Sequence, residues 1–146
     1  MKSDKITYRA LIFDDDETIR KILWMFFDDR GYEVFTFPHP KSCDLVDLKT
    51  CLCPVSHACA DLILTDLNMP FMKGLDFIEH QKSKGCKVSN LALMSGDLTE
   101  EVSERAGILG IKLFEKPFSV KELEEWVEAG EKNIPENRSL YDWNID

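Results

Sequence analysis

Four apolar runs in this chain each end in side chains able to work on a charged group. Ala10–Phe13 leads into Asp14 and Asp15, and Leu62–Leu64 into Asp66; Asn90–Met94 leads into Ser95, and Ile111–Phe114 into Lys116. Gathered in one place, the three carboxylates would repel one another. Two unit charges about 4 Å apart at an effective dielectric near 20 repel by roughly 4 kcal/mol. Such a group takes up protons or holds a cation. Magnesium suits it, because it is hard, uses a few carboxylates with several waters, and bridges to phosphate. With a hydroxyl and an ammonium alongside, the set is equipped for phosphoryl transfer, with Asp66 as a nucleophile that forms an acyl phosphate.

Each residue also has a plainer reading. Asp14 to Glu17 has capping-box spacing, so the acids would simply start a helix. Asp66 with Asn68 and Pro70 reads as turn chemistry, to which Gly74 adds before the next periodic segment. Ser95 alone reads as a cap and Lys116 alone as a solvated lysine. Their recurrence at successive strand ends favours the joint reading, since open α/β sheets build their sites at the carboxyl ends of strands.

The elements that must position these residues follow from periodicity. Strands are predicted at Ala10–Phe13, Tyr32–Phe37, Asp61–Thr65, Asn90–Met94 and Ile111–Phe114. Ile19, Ile22, Leu23, Phe26 and Phe27 mark one face of a helix that Gly31 stops. Further helices are predicted over about Gly74–Lys84, along Leu98, Val102, Ala106 and Leu109, and from Ser119 with Glu122 as its capping partner. A fifth, weak helix lies around Ser42–Leu48. Strands alternating with helices imply an α/β fold: a five-stranded parallel sheet covered by helices on both faces, with about five helices. The expected organisation is an N-terminal lead (1–8), one domain (9–130) with an inserted loop (38–60), and a short polar tail (131–146).

Composition narrows the function classes. The 146 residues suit one domain, with 44% hydrophobic and 31% charged content. A net charge of -9 argues against nonspecific nucleic-acid binding, since phosphate backbones reward lysine and arginine, and no direct nucleic-acid partner is expected. No apolar run approaches the roughly 20 residues that span a bilayer, and MKSDKITYRA lacks a signal peptide's apolar stretch, so a cytoplasmic protein without membrane contact is expected.

With those residues in place, the sequence resembles the receiver domain of two-component response regulators. FDDDETIR (13–20), DLILTDLNMPFMKGLDFI (61–78), LALMSGD (91–97) and EKPF (115–118) follow its motifs in order. The resemblance implies a three-layer, doubly wound, flavodoxin-like sandwich with sheet order 2-1-3-4-5, and that Asp66 accepts a phosphoryl group from a sensor histidine kinase, a phosphotransfer protein or a small phosphodonor. It implies that Asp14 and Asp15 place magnesium (manganese as a substitute), with Asp66 and the backbone carbonyl of Asn68 completing the site. Ser95 would bind the phosphoryl group and shift on activation, Gly96 would keep the site open, and Lys116 would pair with phosphoryl oxygens ahead of a cis Lys116–Pro117 peptide. Signalling would pass to a downstream protein through residues of Leu98–Leu109, Ile111–Phe114 and Ser119–Gly130. The chain would not be an enzyme beyond slow self-dephosphorylation. The family's aromatic switch position holds Leu113 here, with Phe114 one place later as the candidate switch.

Two other function classes compete. Asp14-x-Asp16-x-Thr18 after an apolar strand also matches the first motif of haloacid-dehalogenase-like phosphatases, with Asp14 as nucleophile and Asp16 as acid/base. That reading leaves Asp66 unexplained and finds no acidic metal ligands on a strand after Lys116. The other class is a redox or metal-sensing module. Cys43, Cys51, Cys53, His57 and Cys59 fall in the inserted segment with spacing C-x7-C-x-C-x3-H-x-C. Zinc, a redox-active pair or plain reduced thiols would each fit, and the spacing matches no zinc signature.

Overall fold

Strands that read as unbroken apolar runs sit at the centre of the sheet, and those with mixed patterns sit at its edges. The computed structural model describes residues 7–39, 57–58, 60–69, 72–83, 88, 90–134 and 139–140. Every residue of β4 (Leu62–Asp66) and β5 (Asn90–Ser95) is buried, as is β1 (Arg9–Phe13) apart from Arg9. The edges are β2 (Glu33–Phe37) and β6 (Lys112–Glu115), which are only partly covered. All five are parallel, in the order β2-β1-β4-β5-β6. Counting these strands alone, this is the expected 2-1-3-4-5.

Strand alternation divides the core between the two faces. Ala10, Ile12, Leu62, Leu64, Ala92 and Met94 pack with Leu23 and Phe27 of α1 (Glu17–Asp29) and with Leu123 and Val127 of α4 (Val120–Lys132). On the other face Leu11, Phe13, Ile63, Leu91 and Leu93 pack with Leu75 and Ile78 of α2 (Gly74–Ser83), and with Val102 and Leu109 of α3 (Glu100–Leu109). The three layers follow from that division.

Helix ends follow local chemistry. Ser119 and Glu122 form a reciprocal capping box at α4, Thr99 caps α3, and Gly31 just beyond α1 takes the left-handed φ of 82° that a chain reversal there requires. Three strands end one residue later than their apolar runs suggest, at Asp66, Ser95 and Glu115. Asp66 pairs with Met94 and Ser95 with Glu115, so the ladder continues into the polar residues. Periodicity cannot show that, because backbone pairing ignores side-chain type. Among the described residues there are four helices, against about five expected; the weak one at 42–48 lies outside them. Sequence patterning also missed a two-residue parallel pairing of β3 (His57–Ala58) with β7 (Ser139–Leu140), which is too short to carry a period. No described helix is long and apolar enough to cross a membrane.

Candidate functional site

The chain visits β1 and β2 on one side, then returns to β4 on the other, so the winding reverses between β1 and β4. Crevices form beyond the strand ends at such reversals. Phe13 pairs with Thr65, which sets the next residues, Asp14 and Asp66, side by side. Three backbone bonds fix that edge. Asp14 N–H donates to the Phe37 carbonyl (3.1 Å), Leu67 N–H to Met94 (2.8 Å), and Lys116 N–H to Ser95 (2.8 Å). The last of these delivers Lys116 from the end of β6, ahead of a cis Lys116–Pro117 peptide.

Lys116 Nζ donates to Asp14 Oδ2 and to Asp66 Oδ1, both at 3.0 Å. Asp14 is fully buried and Asp66 is 7% exposed. Asp15 is exposed, yet one oxygen from each of Asp14, Asp15 and Asp66 falls within 4.8 Å of the others. At that separation each pair repels by about 3 kcal/mol at an effective dielectric near 20. Three carboxylates facing one ammonium leave two negative charges unbalanced, which is the charge of one divalent cation. The donors are all hard oxygens, so the set fits magnesium. Burial, opposed by the hydrogen bond from Lys116 and reinforced by the Asp14 and Asp15 charges, raises the Asp66 pKa above its ordinary 3.8. Burial acts to lower the pKa of Lys116, but its bonds to the two carboxylates outweigh that and raise it above 10.5.

The run of four acids divides by role. Asp16 is the N-cap of α1, accepting from Thr18 N–H (2.8 Å) and Ile19 N–H (3.3 Å), while its own N–H donates to Asp14 Oδ1 (2.9 Å). The plain capping reading therefore holds for Asp16 and not for Asp14 or Asp15. It also commits the Asp16 carboxylate, which the phosphatase alternative needs as an acid/base, to the helix start.

Ser95 is buried, and its Oγ accepts from Asp97 N–H at 3.0 Å, which leaves the hydroxyl proton free to donate elsewhere. A Cβ added to Gly96 would meet nothing within 4 Å, so the adjoining space is open. Asn68 is exposed between buried Leu67 and Met69. Phe114 is fully buried on the α1–α4 face, its ring 5.1 Å from Phe118 and 5.7 Å from Trp126. Strand alternation puts Ser95 on the opposite face, where Leu113 also packs. Phe114 and Ser95 thus share no face of the sheet.

Gly74 reads in sequence as a turn residue, but a close approach explains it better. A Cβ there would press on the Asp66 backbone carbonyl and lie 2.8 Å from Leu93 Cδ1. The Gly74 N–H meanwhile donates to the Leu67 carbonyl at 2.8 Å, locking the start of α2 against the Asp66 loop. Glycine to alanine in a helix ordinarily gains stability. Here overpacking should reverse the sign, and Gly74→Ala is expected to lose about 2–3 kcal/mol in urea unfolding. A neutral or stabilised variant would refute the close approach.

One residue at the site escaped sequence reasoning. Arg20 Nη1 donates to the Asp14 backbone carbonyl at 2.8 Å. Beside Lys116, an apolar groove between α1 and α4 is lined by Ile19, Ile22, Phe26, Pro117, Phe118 and Val120. Cys43, Cys51, Cys53 and Cys59 lie outside the described residues, and only the backbone of His57 is described.

Comparison with known proteins bears on the family and the fold. Residues 10–128 match the response regulator receiver domain family. The chain is 28% identical over 134 residues to the nisin biosynthesis regulatory protein NisR of Lactococcus lactis, covering 91% of this chain and 54% of that protein. It is 26% identical over 119 residues to sporulation initiation phosphotransferase F of Bacillus subtilis, covering 82% of this chain and 90% of that one. Among solved structures, the chemotaxis protein CheY4 of Vibrio cholerae shares the fold, with a TM-score of 0.66 at 21% identity over 85% of this chain and 98% of its own. The chain spans about half or less of the length of the first curated relatives it matches.

Proposed function

Because the chain belongs to the response regulator receiver domain family, we propose that it is a phosphorylation-dependent switch whose Asp66 takes a phosphoryl group from a histidine kinase or phosphotransfer protein. The observation that supports this most is Lys116 bridging Asp14 and Asp66, with Asp15 at the rim. An Asp66 carboxylate oxygen attacks phosphorus as the phosphorus–nitrogen bond of a phosphohistidine breaks. The electron pair leaves on the imidazole, and an acyl phosphate remains. Lys116 turns from the free carboxylate to the new phosphoryl oxygens, and the Ser95 hydroxyl donates to another. Asp14, Asp15, Asp66 and the Asn68 carbonyl would hold magnesium, which supplies charge neutralisation for the transferring group. Water later cleaves the acyl phosphate, so the chain resets slowly and turns over no other substrate.

The partners proposed are proteins, met in the cytoplasm, with no direct contact to nucleic acid or membrane. A phosphohistidine must approach beside Lys116, and the groove between α1 and α4 adjoins it with Ile22 and Val120 more than half exposed. Ile22→Glu is therefore expected to slow transfer from a phosphorylated protein donor at least tenfold while leaving uptake from a small phosphodonor unchanged. Equal slowing of both would place Ile22 in the chemistry and refute the docking role. Output is proposed for the surface of α3, β6 and α4, where Ile108 is 85% exposed. The reading as a whole is tested by intact mass after incubation with acetyl phosphate, with and without magnesium. One magnesium-dependent phosphoryl adduct supports it, and no adduct from any donor overturns it.

A further inference from the structure

Resting on the proposed magnesium site, we infer that Arg20 is a positioning residue for the cation, although it carries the same sign of charge. The Asp14–Asp15 peptide stands between the end of β1 and the cap of α1, with no regular structure of its own. Two bonds hold the groups on either side of it and a third holds the peptide itself. Asp14 N–H bonds to Phe37 at the end of β2, Asp14 Oδ1 accepts from Asp16 N–H, and Arg20 reaches back from the first turns of α1 to the Asp14 carbonyl. The third tie fixes the plane of the peptide that carries Asp15. Asp15 is the exposed member of the acidic triad, so it has the fewest other restraints on where its carboxylate stands. A guanidinium is suited to this, because several donors sit in a rigid fork on a long arm.

Charge and positioning predict opposite signs for the same substitution. If Arg20 acted only as a nearby positive charge, removing it would relieve repulsion and magnesium would bind more tightly. If it positions Asp15, removing it lets the carboxylate wander and magnesium binds more weakly. Groups one shell out from a metal typically change affinity 10–100-fold when lost.

Magnesium titration by calorimetry on wild type, Arg20→Met and Arg20→Lys decides between them. Each protein is first melted in EDTA to establish that it is folded. About tenfold weaker binding in Arg20→Met, with Arg20→Lys in between, is the expected result. Unchanged or tighter binding in Arg20→Met overturns the inference. If that variant does not fold in EDTA, Arg20→Lys carries the test alone, and affinity equal to wild type is the overturning result. Wild-type protein that binds no magnesium would instead overturn the site on which the inference rests.

Discussion

Asp66→Ala protein incubated with magnesium and acetyl phosphate will show no phosphoryl adduct, whereas wild type will show one. The expectation separates two buried aspartates that stand side by side. Both oxygens of Asp14 are engaged, Oδ1 by the Asp16 N–H and Oδ2 by Lys116, and the residue is fully buried. Among the described residues, Asp66 is hydrogen-bonded only through Oδ1, and it keeps 7% exposure. A nucleophile needs a lone pair that can reach the donor, and Asp66 offers it. Asp66→Asn is the sharper variant, because it preserves shape and packing while removing the nucleophilic carboxylate. It should be as inactive as Asp66→Ala, yet still fold, since the charge it removes is one that burial already disfavours. An adduct that persists in both variants and disappears in Asp14→Asn would move the nucleophile to Asp14 and revive the phosphatase reading.

How much of this was legible in the sequence depended on which physical signal each residue left. Asp66 and Ser95 were legible because each ends a buried run, and a polar side chain at the carboxyl end of a covered strand has little to do except face the crevice; Lys116 was legible only by following the apolar run of the partly covered edge strand β6. The parallel sheet between two helix layers was legible because strands alternating with helices demand right-handed crossovers, whereas its order came with the family resemblance. The division of labour among Asp14, Asp15 and Asp16 was not, since consecutive acids before a helix all satisfy capping statistics and only geometry shows which carboxylate reaches the Thr18 and Ile19 amides. Arg20 was invisible for a related reason. An arginine on the polar side of an amphipathic helix reads as a solvated residue, and its bond to a backbone carbonyl six positions earlier leaves no pattern. Phe114 was a candidate switch because the family's aromatic position, three before Lys116, holds Leu113 and Phe114 stands one place later; its pairing with Met94 sets it on the face opposite Ser95, which a one-residue offset in sequence does not reveal. Gly74 looked like turn chemistry because a close approach and a flexible turn both call for glycine.

Lys116→Met should have the second large effect, and its pattern differs from that of every other variant. The ammonium neutralises two buried carboxylates at once, so its loss leaves Asp14 and Asp66 facing each other without compensation. Breaking a buried pair from one side is costly, and with the lysine side chain still 24% exposed the loss should be on the order of 2–3 kcal/mol in EDTA. The pH dependence follows from the same contacts. Burial raises the Asp66 pKa above 3.8 and Lys116 opposes the rise, so removing the lysine raises it further. A carboxyl whose pKa is higher folded than unfolded holds its proton more tightly when folded. Stability in EDTA should therefore increase as pH falls from neutral through the raised value toward 3.8, more so in the variant than in wild type. Phosphoryl uptake runs the other way, because it needs the ionised carboxylate, and its acid limb should move to higher pH. At neutral pH uptake should fall about 100-fold or more, as when a preorganised charge is removed from a transition state. Magnesium should bind as tightly as in wild type or more tightly, because a competing cation has gone. That last result sets Lys116 apart from Arg20, whose loss should weaken the metal. Weakened magnesium binding in Lys116→Met would show that the lysine shapes the acidic pocket instead of meeting the phosphoryl group.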